Sequence, residues 1–146
     1  MTTIAYRDGV MAGDSRAYSG SRFPVGAKAK IRRLSDGTLL GVSSTIPGEA
    51  EAVARWYEAG ADPKAGPAGE PKHTLLAVKP SGEVFYSDDS YFLSGPLIGS
   101  YFAIGSGGEY ALGAMAMGAS AEEAVSVACQ LDPWSADPIS TLTLEA

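Results

Sequence analysis

The sequence is poor in the side chains that most often carry hydrolytic or redox chemistry. It has one histidine, His73, and one cysteine, Cys129, in 146 residues. A single cysteine excludes an internal disulfide and fits a reducing compartment, the cytoplasm being the expected one. His73 stands in a Pro/Gly-rich segment, 61–73, so a Ser-His-Asp triad could be built only by bringing that loop into the site. His73 and Cys129 show no metal-ligand spacing, so neither a metal nor another cofactor is expected. Cys129 lies among alanines, where a small packing residue is the simpler reading. No run of about 18 apolar residues is present, so no membrane span is expected. The start lacks a basic stretch leading into an apolar one, so the residues after Met1 are read as part of the mature chain. Eleven basic residues against seventeen acidic ones give a net charge of −6. That balance argues against nucleic acid as a partner. No internal repeat is evident.

What is present reads as one globular domain spanning 1–146. The chain is 45% hydrophobic and 19% charged, and its 18 glycines and 9 prolines imply many turns. Thr2–Tyr6 and Val10–Tyr18 read as strands around an Asp8-Gly9 turn. Lys28–Leu34 and Thr38–Ser43 pair around Asp36-Gly37, and Thr74–Val78 and Glu83–Tyr86 around Pro80-Ser81-Gly82. Tyr91–Leu93, Tyr101–Ile104 and Ile139–Leu144 are further short strands. A helix is expected from Thr45 to Gly60, with Pro47 in its first turn. A second runs from Gly108 to Met117. A third opens on Ser120-Ala-Glu-Glu123, a capping box, and ends at Leu131. Hairpins, a helix, more hairpins, two helices and a strand make an α+β pattern, antiparallel sheet covered by helices.

Two stretches could carry chemistry. Gly105-Ser-Gly-Gly108 lies between an apolar strand and a helix, where backbone N–H groups can cradle an anion. It is no phosphate loop, because no Lys-Ser or Lys-Thr follows, and Tyr110 breaks the dinucleotide pattern. The N-terminus offers another route. Threonine is small enough for the initiator methionine to be removed ahead of it. Thr2 would then hold an α-amine, of ordinary pKa about 7.7–8.0, beside its own hydroxyl. The amine can serve as general base to that hydroxyl, directly or through a water. No histidine is needed. A nearby cation, a carboxylate to hold it and backbone N–H groups for the oxyanion would complete the site.

Thr-Thr-Ile at 2–4, Ala-Gly-Asp at 12–14, Lys-Ile-Arg-Arg-Leu at 30–34 and Ala-Ile-Gly-Ser-Gly-Gly at 103–108 occur in that order. Together they resemble the proteolytic subunits of the HslV type and, more loosely, proteasome β subunits, both N-terminal-nucleophile (Ntn) hydrolases. The resemblance covers residues 2–45 and 101–137. It implies a four-layer αββα sandwich and a threonine-type peptidase with Thr2 as nucleophile and its amine as base. Lys30 would lower the pKa of the Thr2 hydroxyl and Asp14 would orient Lys30, with Lys28 on the same strand face as a neighbour. Gly41 would donate to the oxyanion, with Val42 or Ser43 as alternatives across the short turn. Ser106 would bond near the Thr2 amine, and Asp132 and Ser135 would support the nucleophile. Cleavage preference would depend on side chains near 15–25 and 41–48.

The family's first helix pair is long, whereas one short helix and a Pro/Gly loop stand here, so a reduced helical layer is expected. Peptide or unfolded-protein substrates, a homo-oligomer and an ATPase unfoldase partner follow from the resemblance. Two other functions remain: an Ntn amidase acting on small amides, and a catalytically silent structural or assembly protein of the same fold.

Overall fold

The computed structural model describes residues 2–19 and 23–145. Removal of Met1, expected above, and residues 20–22 of the expected specificity segment therefore fall outside the described residues. Two four-stranded antiparallel sheets and a two-stranded ribbon form the frame. The first sheet has the order β10-β2-β1-β9, made of β1 (Ile4–Arg7), β2 (Val10–Gly13), β9 (Tyr101–Ile104) and β10 (Ser140–Thr143). The second has the order β5-β6-β7-β8, made of β5 (Ile31–Arg33), β6 (Leu39–Ser43), β7 (Thr74–Val78) and β8 (Val84–Asp88). β3 (Arg16–Ser19) and β4 (Phe23–Ala27) make the ribbon.

Successive side chains of a strand point to opposite faces, and here both faces are covered. Ile4, Met11, Ile31, Leu39, Leu76 and Ile104 gather into one apolar cluster that joins the two sheets. The alternate residues of the first sheet, Ala5 and Ala12, pack instead against α2 (Gly108–Ala116) and α3 (Ala121–Leu131). The alternate residues of the second, Leu40, Val42, Leu75 and Ala77, pack against Val53 and Trp56 of α1 (Glu49–Glu58). Alanine on the helix-facing side of β1 and β2 leaves room for two helices to approach closely. The capping box of α3 forms: the Ser120 hydroxyl accepts from Glu123 N–H and the Glu123 carboxylate accepts from Ser120 N–H.

Four elements differ from expectation. Val10–Tyr18 is two strands in different sheets, because Asp14 turns inward and collects backbone N–H groups that a straight strand would pair elsewhere. The strand expected from Lys28 begins only at Ile31; Lys28 N–H bonds to the Ser15 carbonyl instead. Helix α1 begins at Glu49, since the Ser44 hydroxyl accepts from Ile46 N–H and holds 44–48 as a turn. Tyr91–Leu93 is not a strand; one bridge, Tyr86 to Ser94, replaces it. The 61–73 loop is as expected, apart from one short 3-10 turn at Pro63–Ala65. Among the described residues no helix is long and apolar enough to cross a membrane.

Candidate active site

The site grows out of the register of β1, which pairs with β2 on one side and β9 on the other. Ile4 lies opposite Gly13 of β2 and opposite Ile104 of β9. Each strand runs on past that point. Thr3 therefore meets Asp14, and Thr2 meets the Gly105–Gly108 turn. Asp14 N–H donates to the Thr3 carbonyl at 3.0 Å, and Gly107 N–H to the Thr2 carbonyl at 3.2 Å. At Gly105 (φ +96°) a Cβ would collide with the Thr2 carbonyl, so only glycine lets the turn come this close.

Six of the seven expected residues join one hydrogen-bonded chain, Thr2 through its nitrogen and the others through their side chains. Lys30 Nζ donates to both Asp14 oxygens at 3.1 Å. Asp14 Oδ1 also accepts from Thr3 N–H at 2.9 Å, while Oδ2 accepts from Arg16 N–H at 3.2 Å and Ala136 N–H at 3.1 Å. On the other side, Asp132 Oδ2 accepts from both the Ser106 and the Ser135 hydroxyls at 2.7 Å. A hydroxyl has one proton to give. Ser135 gives its proton to Asp132, so the 2.7 Å contact between Ser135 and Thr3 is donated by the Thr3 hydroxyl. Ser106 has likewise spent its proton on Asp132. Its oxygen is left to accept, and it accepts from Thr2 N–H at 3.1 Å.

Burial sharpens these contacts. Asp14 is 1% exposed and Lys30 6%. Removal from water pushes the Lys30 pKa down, and the Asp14 carboxylate opposes that shift. The result is a lysine inside the protein, held as a cation by one carboxylate, in the wall of a cleft of about 350 Å3 that Thr2 also lines. Val42, Ser44, Thr45 and Ile46 line the same cleft. A second hollow shares Ser44 and Thr45 with it and reaches Ser106 and His73.

Two expected residues are placed differently from the expectation. Gly41 sits inside β6, where a Cβ would come within 2.8 Å of Ile4 Cγ2, and it does not line the cleft. There it is a packing residue between the sheets; Val42 is the neighbour that reaches the cleft, its N–H 3.4 Å from the Lys30 carbonyl. Lys28 does not share the face of Lys30. It is exposed and pairs with Glu51 at 2.7 Å. His73 is 2% exposed, stacked on Tyr91 with ring centroids 5.5 Å apart. Burial pushes the Cys129 thiol up to about 11, so it is no ready nucleophile. Among the described residues no three of His, Cys, Asp and Glu gather into a metal-binding group.

Sequence reasoning missed Thr3. Its backbone ties to Asp14 and its hydroxyl to Ser135, joining the two carboxylates. Its one signal was position: a second threonine beside the first, which alternation turns the other way.

Comparison with solved structures gives the same frame. HslV from Trypanosoma brucei matches with a TM-score of 0.76 at 19% identity, over 99% of this chain and 99% of that one. The chain shares its fold with HslV. BPH from Thiobacillus denitrificans matches over 99% of both chains at 18% identity, with a TM-score of 0.69 in its complex with epoxomicin. BPH alone matches with 0.65 at the same identity, over 99% of this chain and 98% of that one. No family model and no curated protein matches the chain. At 18–19% identity the HslV likeness carries the fold, and the chemistry rests on the side chains of this site.

Proposed function

We propose that the chain is a threonine-type peptidase in which Thr2, freed of Met1, is the nucleophile. The observation that carries this is the orientation imposed on the Thr2 nitrogen. Ser106 offers it only an acceptor, since its proton is committed to Asp132. One N–H of the freed amine would be held there, leaving the nitrogen lone pair to take the Thr2 hydroxyl proton, directly or through a water. The hydroxyl oxygen then attacks the peptide carbonyl carbon. The carbonyl π pair becomes an oxyanion, and the backbone N–H groups of Ser44 and Thr45, in the cleft wall, are the donors at hand. Collapse breaks the C–N bond, and the amine group of Thr2 returns its proton to the leaving nitrogen. Water, deprotonated by the same amine, releases the ester. Lys30 stabilises the alkoxide and Asp14 keeps Lys30 charged.

On this reading the three apolar clusters are the seams of a four-layer αββα sandwich, with α1 alone as the reduced helical layer, in a single domain of residues 1–146. Exposed Phe92, Ile98, Met117 and Leu131 support self-association of the chain. An ATPase unfoldase partner, unfolded-protein substrates and a cytoplasmic setting belong to the same proposal.

Intact mass should show Met1 absent from protein made in its native host. Thr2→Ala should abolish peptide turnover and covalent capture by a peptide epoxyketone, while Thr2→Ser keeps both. Turnover of small amides but not peptides would favour the amidase. Retention of Met1 with no turnover would favour the silent protein. Activity surviving in Thr2→Ala overturns the nucleophile assignment.

A further inference from the structure

Resting on the reading of Thr2 as nucleophile, we propose that the cleft beside it selects an acidic side chain on the residue whose carbonyl is attacked. That side chain hangs from the Cα bonded to the reacting carbon, and the cleft that Thr2 lines is the space beside it. The charge there runs against the rest of the molecule. The chain carries −6, yet Arg16, Lys28, Lys30 and Arg32 line the cleft against one carboxylate, Glu51.

Two of these cations are already matched: Lys30 by Asp14 and Lys28 by Glu51. Arg32 is different. It is half-buried, its backbone pairs with Leu40 in the sheet, and among the described residues its side chain makes no hydrogen bond or ion pair. Its charge does reach Glu51, helping to hold that carboxyl below its usual range, after the larger effect of the Lys28 hydrogen bond. A guanidinium without a protein partner in a cleft wall can exchange its water for a planar acceptor, and a carboxylate matches its fork. Val42, Ile46 and Ala50 supply apolar wall for the methylenes of such a side chain. A lysine there would meet like charge. A leucine or phenylalanine would cover the guanidinium without pairing it, the situation in which polar sites discriminate most strongly.

The test has two arms. In the first, full-length protein is given fluorogenic peptides that differ only in Glu, Leu or Lys before the cleaved bond. Glu should lead in kcat/KM by about tenfold or more. Arg32→Glu should erase or reverse the Glu-to-Leu ratio, and Glu51→Gln, which removes the opposing carboxylate, should raise it. Leu or Lys leading, or a ratio unmoved by both variants, overturns the proposal.

In the second arm, Thr2→Ala protein is titrated with acetylated tripeptides ending in Glu or Leu, which reads the cleft without chemistry. Tighter binding of the Glu peptide supports the proposal; equal binding, or none, overturns it. Glu-selective binding without any turnover in the first arm would leave the cleft assignment standing and overturn the nucleophile reading. Turnover with a Leu preference would do the reverse.

Discussion

Asp14→Asn keeps the shape of the site and removes its charge, and its cost can be worked from contacts. Both Asp14 oxygens lie 3.1 Å from Lys30 Nζ, and the two together accept three backbone N–H groups, from Thr3, Arg16 and Ala136. An asparagine offers one oxygen. Its NH2 group must face at least one of those donors, a loss of about 1–3 kcal/mol. Stripping a buried cation of its partner costs about 3–5 kcal/mol. Taking the lower end of each term gives about 4 kcal/mol, against a total stability of about 5–15 kcal/mol for a domain.

The loss should depend on pH, with a definite sign. Burial already pushes the Lys30 pKa below its ordinary value, and Asp14 resists that shift. A lysine with a lowered folded pKa binds fewer protons folded than unfolded, so stability rises with pH between the folded and unfolded values. Without Asp14 the folded value drops further and the window widens downward. The deficit of the variant should therefore be largest at neutral pH and below and smaller at alkaline pH, toward the unfolded lysine value of about 10.4. Urea unfolding followed by the fluorescence of Trp56 and Trp134 at neutral and at alkaline pH reads it. Adding Lys30→Met to Asp14→Asn should recover part of the loss, because the orphaned charge is gone. A deficit under about 1 kcal/mol, or one unchanged between the two pH values, would refute the claim that this pair is a buried, mutually dependent unit.

Other consequences are simpler to check. Gly41→Ala places a methyl 2.8 Å from Ile4 Cγ2. It should lower the urea midpoint by about 1–3 kcal/mol worth of stability with the slope unchanged; no loss would mean Ile4 moves aside freely. The Cys129 thiol, pushed up to about 11 by burial, should react with a thiol dye at least about tenfold more slowly in folded than in urea-unfolded protein near about pH 8; equal rates would contradict its burial. Burial also pushes the His73 pKa down, against the pull of Glu49 and Asp89. The folded state then binds fewer protons, so stability should fall as pH drops below the unfolded value of about 6.5. His73→Phe should flatten that part of the profile; an unchanged acid limb would point to another group.

How much of this could be read from the chain follows from which contacts are local. The Asp8-Gly9 turn fixes a count: Arg7 opposite Val10 and Ile4 opposite Gly13. One step further sets Thr3 against Asp14. That half of the site is legible from residues 2–14 alone. The capping box at Ser120 is legible for the same reason, being complete within four residues. Strand alternation was weaker than usual, because Ile4, Ala5 and Tyr6 are all buried, on two faces rather than one. The failures sit where a side chain overrides backbone pattern. The inward Asp14 splits one expected strand into two and draws Lys30 inside, while Lys28 pairs with Glu51 at the surface. Gly41 looked like an oxyanion donor by its place at a strand end, but it lies inside β6 between Ile31 and Leu76 and does not line the cleft.

The other half of the site depends on a pairing no local signal encodes. Ile4 opposite Ile104 joins residues 100 positions apart, and it alone sets Ser106 beneath the Thr2 nitrogen. Asp132 then arrives as the last-turn cap of α3, whose place is set by packing on Ala5 and Ala12. The proton assignments follow from that convergence. Two serines donate to one carboxylate oxygen, so each has only a lone pair left for a threonine. Thr3 answers with its hydroxyl and Thr2 with its nitrogen. Neither Asp132 nor either serine touches the Thr2 hydroxyl. They act by fixing which way the nitrogen beside it points, and a carboxylate at any other turn of α3 could not do so.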